Sequence, residues 1–505
     1  MHLFSAGRLR NHRGSMLTVA YLLIFVLVTL GAVFVVISSN EGRLAEREKR
    51  MALALANAEA GIERAMYDLR LDFTNASGTP SWSDGSISSY TIGPDTSNYY
   101  TIPYASTSLN GGSYTVQLKN VTGATDFAWV KSTGTVGDIS QTIEIYANMY
   151  SISPWNNAIF AGAGAAGAMV NGNVNIRGSV HILGSGLSST DYAVILGGTA
   201  ELVGNNYNGL AASLSAKVPA LSTTTYGGET VSTLNAKLRV KKGKISLSGS
   251  ATVGEPNIAG NAVKETVDGS YVTNGFGGSQ GTGSVYSDNG WSNGYDLGDT
   301  VVFPSLSDPY PGYATYQAYL EANALVISDA SSLAALAAIN PNSNFNFTDT
   351  LNGKGSIIMD GNGNMTISGI VYVNGAVNMN IDGSDKTVTY SGSGSILATG
   401  NSSINVDLVT NGNSSFPTNV LGFMTPGTIT FNEANIDVMG LFYGETSIVC
   451  QKQTDVMGTF VSNYFDMGTN VPSIFQVPSV INNLPPGLIG QAATWMIQTI
   501  MWRKL

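Results

Sequence analysis

Residues 16–37 read MLTVAYLLIFVLVTLGAVFVVI and contain no charged side chain. A helix of this length matches the hydrocarbon core of a bilayer, which requires about 20 apolar residues. Arg8, Arg10 and Arg13 precede the run without an acidic residue, and basic flanks favour the cytoplasmic side. We therefore predict one transmembrane helix over 16–37, followed by a chain that lies outside the cytoplasm. A cleaved signal peptide is the alternative, but its apolar region would be shorter and would end at a small-residue cleavage site.

The apolar pattern continues beyond the membrane segment as a stripe. Its members recur in alternating steps of three and four, interrupted only at Glu48: Leu44, Met51, Leu55, Ala58, Ile62, Ala65 and Leu69. Such steps place side chains on one face of an α-helix, and the mixed charges of 41–50 provide a solvated surface. The sequence predicts one helix from about Ser15 to about Leu71, bent or weakened at Gly42 and Gly61.

The N-terminal segment resembles a type IV prepilin, and specifically the PilX-like minor pilins. Two stretches carry the resemblance, RGSMLTV at residues 13–19 and the alanine-rich ALALANAEAG at residues 52–61. The resemblance implies cleavage between Gly14 and Ser15 by a prepilin peptidase. It also implies a single-pass inner-membrane protein that is exposed in a pilus at the cell surface. Its expected partners are other pilins, the inner-membrane pilus assembly machinery and membrane lipid.

One position departs from the pattern of major pilins. Those proteins carry a glutamate at the fifth residue of the mature chain, where this sequence has Val19. A carboxylate there would neutralise the N-terminal amine of a neighbouring subunit, because an unpaired charge in apolar surroundings is costly. The same departure occurs in pilin-like subunits placed at filament tips. Our hypothesis is therefore a minor subunit that lies at the tip or initiates assembly.

The chain after the helix shows β patterns. Apolar and polar residues alternate in segments such as 114–118 and 141–146, and KSTGTVG at 131–137 resembles the STG strand of pilin-like heads. We expect a small pilin-like sheet here.

From residue 153 onward, short apolar runs separated by Gly and Asn recur. The runs that begin at Val420, Leu441 and Phe460 return with a period of about 20 residues, which predicts a parallel β-helix-like solenoid. A β-sandwich with ordinary hairpins is the alternative. Eight asparagines fit left-handed corners or side-chain ladders of the solenoid: Asn171, Asn173, Asn175, Asn378, Asn380, Asn405, Asn411 and Asn413.

The predicted fold class is α+β with mainly β structure. It comprises a long N-terminal helix, a small pilin-like sheet and a parallel β-helix-like solenoid. The predicted domains are a leader at 1–14, a helix at 15–71, a β head at 72–152, a solenoid at 153–480 with an insertion at about 205–345, and a C-terminal cap at 481–505.

Composition narrows the class of protein. Only 11% of the residues are charged, 59 of 505 are glycine, and the formal net charge is −10, which is atypical of a cytosolic enzyme. The basic residues concentrate near the N-terminus, so we expect no cationic surface for nucleic acid in the remainder. Intrinsic disorder is the competing interpretation, but 43% hydrophobic residues provide enough apolar surface for a core.

Few residues are available for catalysis or metal binding. Cys450 is the only cysteine, and we expect a small buried side chain. His181 is the only histidine after the membrane segment, so a strand position is its expected role. The run DGNGN at 360–364 begins like a calcium loop, but Met365 replaces the required glycine and Val371 the bidentate acid. We predict no cofactor, no metal site and no enzymatic activity.

The leading prediction is a structural and interaction protein, a minor pilin that displays its solenoid for filament assembly or adhesion. A pseudopilin of a type II secretion system would share the same N-terminal segment. A membrane-tethered carbohydrate-active β-helix enzyme is the alternative of another class, because such enzymes can act with carboxylates alone. The available carboxylates are Asp349, Asp360, Asp382, Asp385, Asp407, Asp437 and Asp455. Tyr286, Trp291 and Tyr295 either cover the side of the solenoid or contact surface carbohydrate or a protein partner, and we favour the first of these roles.

Overall fold

The computed structural model describes residues 13–75, 97–104, 106–121, 124–163, 170–172, 174–298, 301–467, 472–490 and 494–505. Most of the predicted leader, the start of the predicted β head and Asn173 lie outside the described residues. The chain divides into two compact units, one formed by Met1–Tyr150 with Trp495–Leu505 and the other by Ser151–Thr494. A long apolar helix is followed by mostly β structure, so the predicted fold class is confirmed.

The N-terminal helix α1 runs from Arg13 to Asn75 and has 63 residues. Its C-terminal half buries the predicted stripe from Ala58 to Leu69, and Leu55 is partly buried. Leu44 and Met51, in contrast, remain 57% and 37% exposed. The stripe therefore contacts the protein's own core only over its C-terminal part.

The first unit holds one antiparallel sheet against α1. Its strands are β1 (Tyr100–Thr101), β2 (Ser108–Leu109), β3 (Gly112–Val121), β4 (Ala124–Val136), β5 (Ile139–Ile152) and the C-terminal strand (Thr494–Lys504). The order is β1, β3, β4, β5 and then the C-terminal strand, while β2 pairs with β3. Alternate residues of β3, β4 and β5, such as Val116, Val130 and Ile143, pack with α1 in one core.

The C-terminal segment differs from the predicted cap. Residues 494–504 extend the sheet of the first unit beside β5, and Ile497 joins the core beneath α1. Arg503 Nε also donates to buried Glu144 at 2.6 Å. An ion pair and an apolar contact thus join two segments that lie far apart in sequence.

The second unit is built largely from short parallel strands. Its first half contains β6 (Ile159–Ala163), β7 (Val170–Gly172), β8 (Asn175–Arg177), β9 (Val180–Ser185), β10 (Tyr192–Leu196), β11 (Glu201–Gly204), β12 (Ser222–Tyr226), β13 (Glu229–Thr233), β14 (Lys237–Val240), β15 (Lys244–Leu247), β16 (Thr252–Val253), β17 (Gly269–Val272) and β18 (Phe276–Gly277). Its second half contains β19 (Leu325–Ile327), β20 (Asn344–Thr348), β21 (Gly355–Asp360), β22 (Asn364–Val373), β23 (Asn378–Met379), β24 (Thr387–Ser391), β25 (Ser393–Ala398), β26 (Ser402–Ile404), β27 (Asp407–Thr410), β28 (Val420–Thr425), β29 (Thr428–Phe431), β30 (Ile436–Cys450), β31 (Thr454–Asp466) and β32 (Ser473–Phe475). The short helices are α2 (Ala212–Ser215), α3 (Tyr316–Ala322) and α4 (Ala330–Leu336), with 3-10 turns at Pro154–Asn156, Gly281–Ser284 and Pro478–Asn482.

Successive coils of the second unit stack in parallel register. Ile396 pairs with Phe423, Phe423 with Phe442, and Phe442 with Phe460. The aromatic side chains at 423, 442 and 460 are fully buried. Their stacking fills the interior of the coils.

The repeat seen in the sequence gives the wrong register for this stack. It aligns Leu441 with Val420 on one side and with Phe460 on the other. In the structure Leu441 pairs with Gly422 and with Thr459. The repeating runs are therefore correctly identified as stacked strands, but their residues are paired incorrectly.

The two halves of the unit meet in the middle of the stack. Strand β31 pairs in parallel with β6, and β6 pairs with β9. Strand β9 pairs with β14, and β14 pairs with β17. The predicted insertion at 205–345 is therefore wrong for its coil-forming part, because β14 and β17 belong to the stack. Two neighbouring pairs are antiparallel: β20 pairs with β21, and β21 pairs with β22.

The corners of the coils use glycine more than the predicted asparagines. Asn175, Asn378, Asn380, Asn405 and Asn411 are not among the residues with positive φ, whereas many glycines are. A ladder does form, since Asn405 Nδ2 donates to Asn380 Oδ1 at 3.3 Å. Asn378, Asn380 and Asn405 therefore link neighbouring coils through side-chain hydrogen bonds and not through left-handed backbone.

Candidate assembly interface

The N-terminal half of α1 is an exposed apolar rod. Its most apolar 18-residue window has a mean hydropathy of 2.9, and none of that window is buried within the protein. The helix is long and apolar enough to cross a membrane. Exposed apolar surface of this extent marks a site of membrane or protein contact, because water solvates it poorly. This surface is the candidate interface.

The residues predicted to be processed lie at the start of this rod. Gly14 and Ser15 fall within the first turn of α1, which begins at Arg13. Val19 lies one turn further on and is 62% exposed. Cleavage between Gly14 and Ser15 stays a prediction. Val19, the fifth residue of the expected mature chain, therefore lies on the exposed half of α1.

The buried half of α1 is anchored to the sheet by a polar contact. Asn57, from the alanine-rich stretch, is fully buried. Its Nδ2 donates to Leu109 O at 2.9 Å, and its Oδ1 accepts from Asn110 Nδ2 at 3.2 Å. Both ends of the amide are therefore satisfied, which a buried polar group requires. This contact sets the register of the helix on the head.

Two glycines allow the helix and the sheet to approach closely. A Cβ on Gly134, the glycine of the STG strand, would lie 2.1 Å from Ala54 O. One on Gly61 would lie 2.3 Å from Ser132 Oγ. The helix continues through Gly42 and Gly61 without interruption. Gly61 is therefore a packing position within a continuous helix.

Arg64 ties the outer face of α1 to the head. Its Nη1 donates to Tyr114 Oη at 2.9 Å, and its guanidinium lies 3.9 Å from the centroid of the Tyr104 ring. Contact with an aromatic face favours a cation. Periodicity alone gave no signal for this contact, because both tyrosines are distant from Arg64 in sequence.

The candidate carboxylates of the second unit are largely committed to local bonds. Asp360 Oδ1 accepts from the backbone of Asn362 at 2.7 Å and of Asn364 at 3.1 Å, which makes the DGNGN run a turn. Asp349 Oδ1 caps another turn through Asn352 N at 3.0 Å. Among the described residues, no group of three His, Cys, Asp or Glu side chains could hold a metal.

Three of these carboxylates come together on successive coils. Asp437 pairs in register with Asp455, and Asp437 N donates to Asp407 Oδ1 at 3.0 Å. Burial raises the pKa of Asp437, and the neighbouring carboxylates add to the rise. Burial also raises the pKa of Asp455. Sequence reasoning could not place these residues together, because their adjacency depends on the coil register.

A buried ion pair lies between β8 and β11. Arg177 Nη2 is 2.5 Å from Glu201 Oε2, and both side chains are almost fully buried. Burial raises the pKa of Glu201 to about 8, because desolvation and nearby Glu255 outweigh the attraction of Arg177. Glu201 Oε1 has no hydrogen-bond donor among the described residues. The carboxyl therefore retains a proton more readily than an exposed glutamate does.

His181 and Cys450 have structural positions. Cys450 is buried, and burial raises the pKa of its thiol to about 11. His181 is 1% exposed on β9, and its Nε2 is hydrogen-bonded to Tyr295 Oη. Burial holds the pKa of His181 well below its usual value, and the charges of Arg239 and Lys241 lower it further. Both residues thus match the roles expected of them.

Sequence reasoning missed one concentration of charge. The segment KLRVKKGK at 237–244 carries five basic residues, although we expected the chain beyond the N-terminal region to lack a cationic surface. The signal was present in the local density of Lys and Arg. It was overlooked because the total charge and the basic N-terminus dominated the composition.

No protein-family model matches the sequence, and no curated protein matches it. The fold is similar to the crystal structure of the competence-associated pilin ComZ from Thermus thermophilus, with a TM-score of 0.50 and 22% sequence identity. The alignment covers 90% of this chain and 97% of that chain. At this identity the likeness concerns the fold alone.

Proposed function

We propose that this chain is a minor pilin or pilin-like subunit of a type IV pilus, of the PilX-like kind. In this proposal a prepilin peptidase cleaves between Gly14 and Ser15, and α1 then leaves the membrane to pack among the helices of other pilins. The second unit is displayed outside the cytoplasm as a β-solenoid that serves assembly or adhesion.

The contrast between the two halves of α1 is the main support for the proposal. Its C-terminal half is buried against its own sheet, while the half around Val19 exposes an uninterrupted apolar surface. A lipid bilayer and a bundle of apolar helices can each cover such a surface. The same apolar half of α1 can therefore lie first in the inner membrane and then among the helices of a filament.

The departure at Val19 supports a place at the tip or in initiation. A subunit added beneath another one must provide a carboxylate for the N-terminal amine above it. Val19 cannot provide one, whereas a subunit with no neighbour above it needs none. This supports a minor subunit over the main filament subunit.

We propose display and not catalysis for the second unit. The carboxylates that an enzyme of this architecture would use are occupied in turns, as at Asp349 and Asp360. Asp407 accepts from the backbone of the neighbouring coil. These bonds support structural roles for the three groups. The pseudopilin alternative shares the same helix and is separated from the pilus proposal by the partners that co-purify with the chain.

Substitution at the predicted cleavage site tests the proposal. We expect Gly14→Leu to leave the precursor uncleaved, because a large side chain would obstruct the peptidase, and to remove the protein from sheared surface filaments. Gly7→Leu is the matched control and should be processed normally. Immunoblotting of membrane and filament fractions gives both readouts. Normal processing of Gly14→Leu, or equal loss of both variants, would contradict the proposal.

A further inference from the structure

Two carboxylates interrupt the apolar stripe of α1. Glu48 follows Leu44 by four positions and precedes Met51 by three, which places the three side chains on one face of the helix. Glu41 lies on the same face, three positions before Leu44. All four residues are exposed. A face that is otherwise apolar therefore carries two carboxylates, seven positions apart.

The ion pairs of this segment leave both carboxylates unpaired. Arg50 Nε lies 3.2 Å from Glu46 Oε1, and Arg50 Nη1 lies 3.6 Å from Asp138 Oδ1, in the turn between β4 and β5. Among the described residues, neither Glu41 nor Glu48 forms an ion pair. Both carboxylates are therefore available to a partner outside this chain.

Both carboxylates lie beyond the apolar run that could cross a membrane. At about 1.5 Å per residue, Glu41 is about 6 Å and Glu48 about 16 Å beyond Ile37 along the helix. Water therefore solvates both of them while the apolar run lies in a bilayer. Packing of another protein on this face would remove that water, and a buried carboxylate without a partner is costly. A protein that covers this face must therefore supply a cation.

A second copy of this chain does not supply that cation from its own stripe. Two copies in one membrane are parallel, so their stripes would pack against each other. Continued in steps of three and four from Met16 to Leu69, the stripe contains no Lys or Arg. In register, Glu48 would face Glu48 of the second copy, and after a shift of seven positions it would face Glu41. Like charges would meet in both arrangements, which favours a different partner.

We propose that this face of α1 binds the N-terminal helix of a different pilin subunit, and that a Lys or Arg of that helix pairs with Glu48. Leu44 and Met51 pack on the apolar residues of the same helix. A polar residue within an apolar seam fixes the partner and the register of packed helices. This pairing rests on the proposed function, since assembly is what brings two pilin helices together.

The spacing of the two carboxylates also constrains the sequence of the partner. Parallel stripes keep the same spacing, so a second cation of the partner, seven positions from the first, faces Glu41. Arg suits both positions, because its guanidinium binds a carboxylate through two parallel hydrogen bonds. Anionic lipid headgroups are repelled by the same carboxylates and fit this face less well.

Site-specific photo-cross-linking in the organism that produces the protein tests the proposal. The photoreactive residue p-benzoylphenylalanine replaces Leu44 in the full-length chain, and mass spectrometry identifies the cross-linked peptides. We expect a cross-link to the N-terminal helix of another pilin, with a Lys or Arg within one turn of the linked residue. Glu48→Arg should lower the yield about fivefold or more, because two cations would then meet. Changing that cation of the partner to Glu should restore the cross-link to Glu48→Arg.

A matched variant separates this face from general charge. Glu63→Arg makes the same charge change at an exposed position of α1 that lies off the stripe, and it should leave the yield unchanged. The absence of any cross-link would overturn the proposal, as would a cross-link to lipid alone, to a second copy of this chain or to a helix without a nearby cation. An equal effect of Glu63→Arg would also overturn it.

The same cells distinguish this failure from failure of the proposed function. If the wild-type chain is recovered from sheared filaments but gives one of the contradicting cross-links, the proposed function stands and the pairing of Glu48 is wrong. If the wild-type chain is absent from the filaments, the proposed function itself is wrong.

Discussion

Glu201 is a buried carboxyl whose protonation is linked to folding. Its pKa rises from an ordinary 4.5 to about 8, chiefly through burial. Between these values the folded chain holds a proton that the unfolded chain has lost, so stability falls as the pH rises. Below about pH 6.5 the depressed pKa of buried His181 acts in the opposite direction. The effect of Glu201 on stability is therefore separated from that of His181 between pH 6.5 and pH 8.

We predict that Glu201→Gln reduces the loss of stability between pH 6.5 and pH 8 by about 1 kcal/mol. The measurement is the unfolding of the second unit, in full-length protein in detergent, at both pH values. Glu229→Gln changes an exposed glutamate in the same unit and should leave the pH dependence unaltered. An identical pH dependence in wild type and Glu201→Gln would show that Glu201 titrates normally.

In the proposed role, the side chain at Val19 affects filament assembly and not the stability of the fold. We predict that Val19→Glu moves this subunit from filament ends to positions along the shaft, because the new carboxylate can pair with the N-terminal amine of another subunit. The control Val19→Gln lacks the charge and should stay at the ends. Immunogold labelling of filaments measures the change. Unchanged filament number and subunit position in Val19→Glu would remove the role assigned to this residue.

Helix α1 and strand β4 of the first unit pack closely at Gly134. We predict that Gly134→Ala destabilises this contact by about 1–3 kcal/mol, because the added Cβ would lie 2.1 Å from the backbone oxygen of Ala54. Hydrogen exchange of α1 at residues 54–69 should become faster. The control Gly42→Ala meets no atom within 4 Å and should leave exchange there unchanged. Unchanged exchange in both variants would refute the close approach.

The sequence was most informative where the pattern is local. The stripe from Ala58 to Leu69 predicted its own burial, because the neighbours on a helix face lie three or four positions apart. The stack of Phe423, Phe442 and Phe460 was not placed correctly, since the register between successive strands is constrained by corner geometry that apolar runs do not encode. Short β segments therefore identified the structural class but not the pairing.

Pairing over long separations escaped prediction altogether. The run TWMIQTIMWRK at 494–504 reads as an apolar strand, but nothing in it specifies β5 as its neighbour. The partner depends on the ion pair of Arg503 with Glu144 and on the fit of Ile497 beneath α1.

At the scale of the whole molecule, the chain consists of two units with different requirements. The first unit presents a half-buried rod whose apolar end needs lipid or other helices. The second is a stack of coils whose core is closed by its own aromatic residues, so it can be displayed in water. The proposed role, a membrane precursor that becomes an exposed subunit, requires both of these properties in one chain.

N-terminal sequencing of the protein recovered from sheared surface filaments tests the central claim most directly. The proposed role predicts a polypeptide that begins at Ser15, keeps the apolar run at 16–37 and continues into the coil-forming unit. A mature chain that begins beyond Ile37 and is absent from the filaments would contradict it.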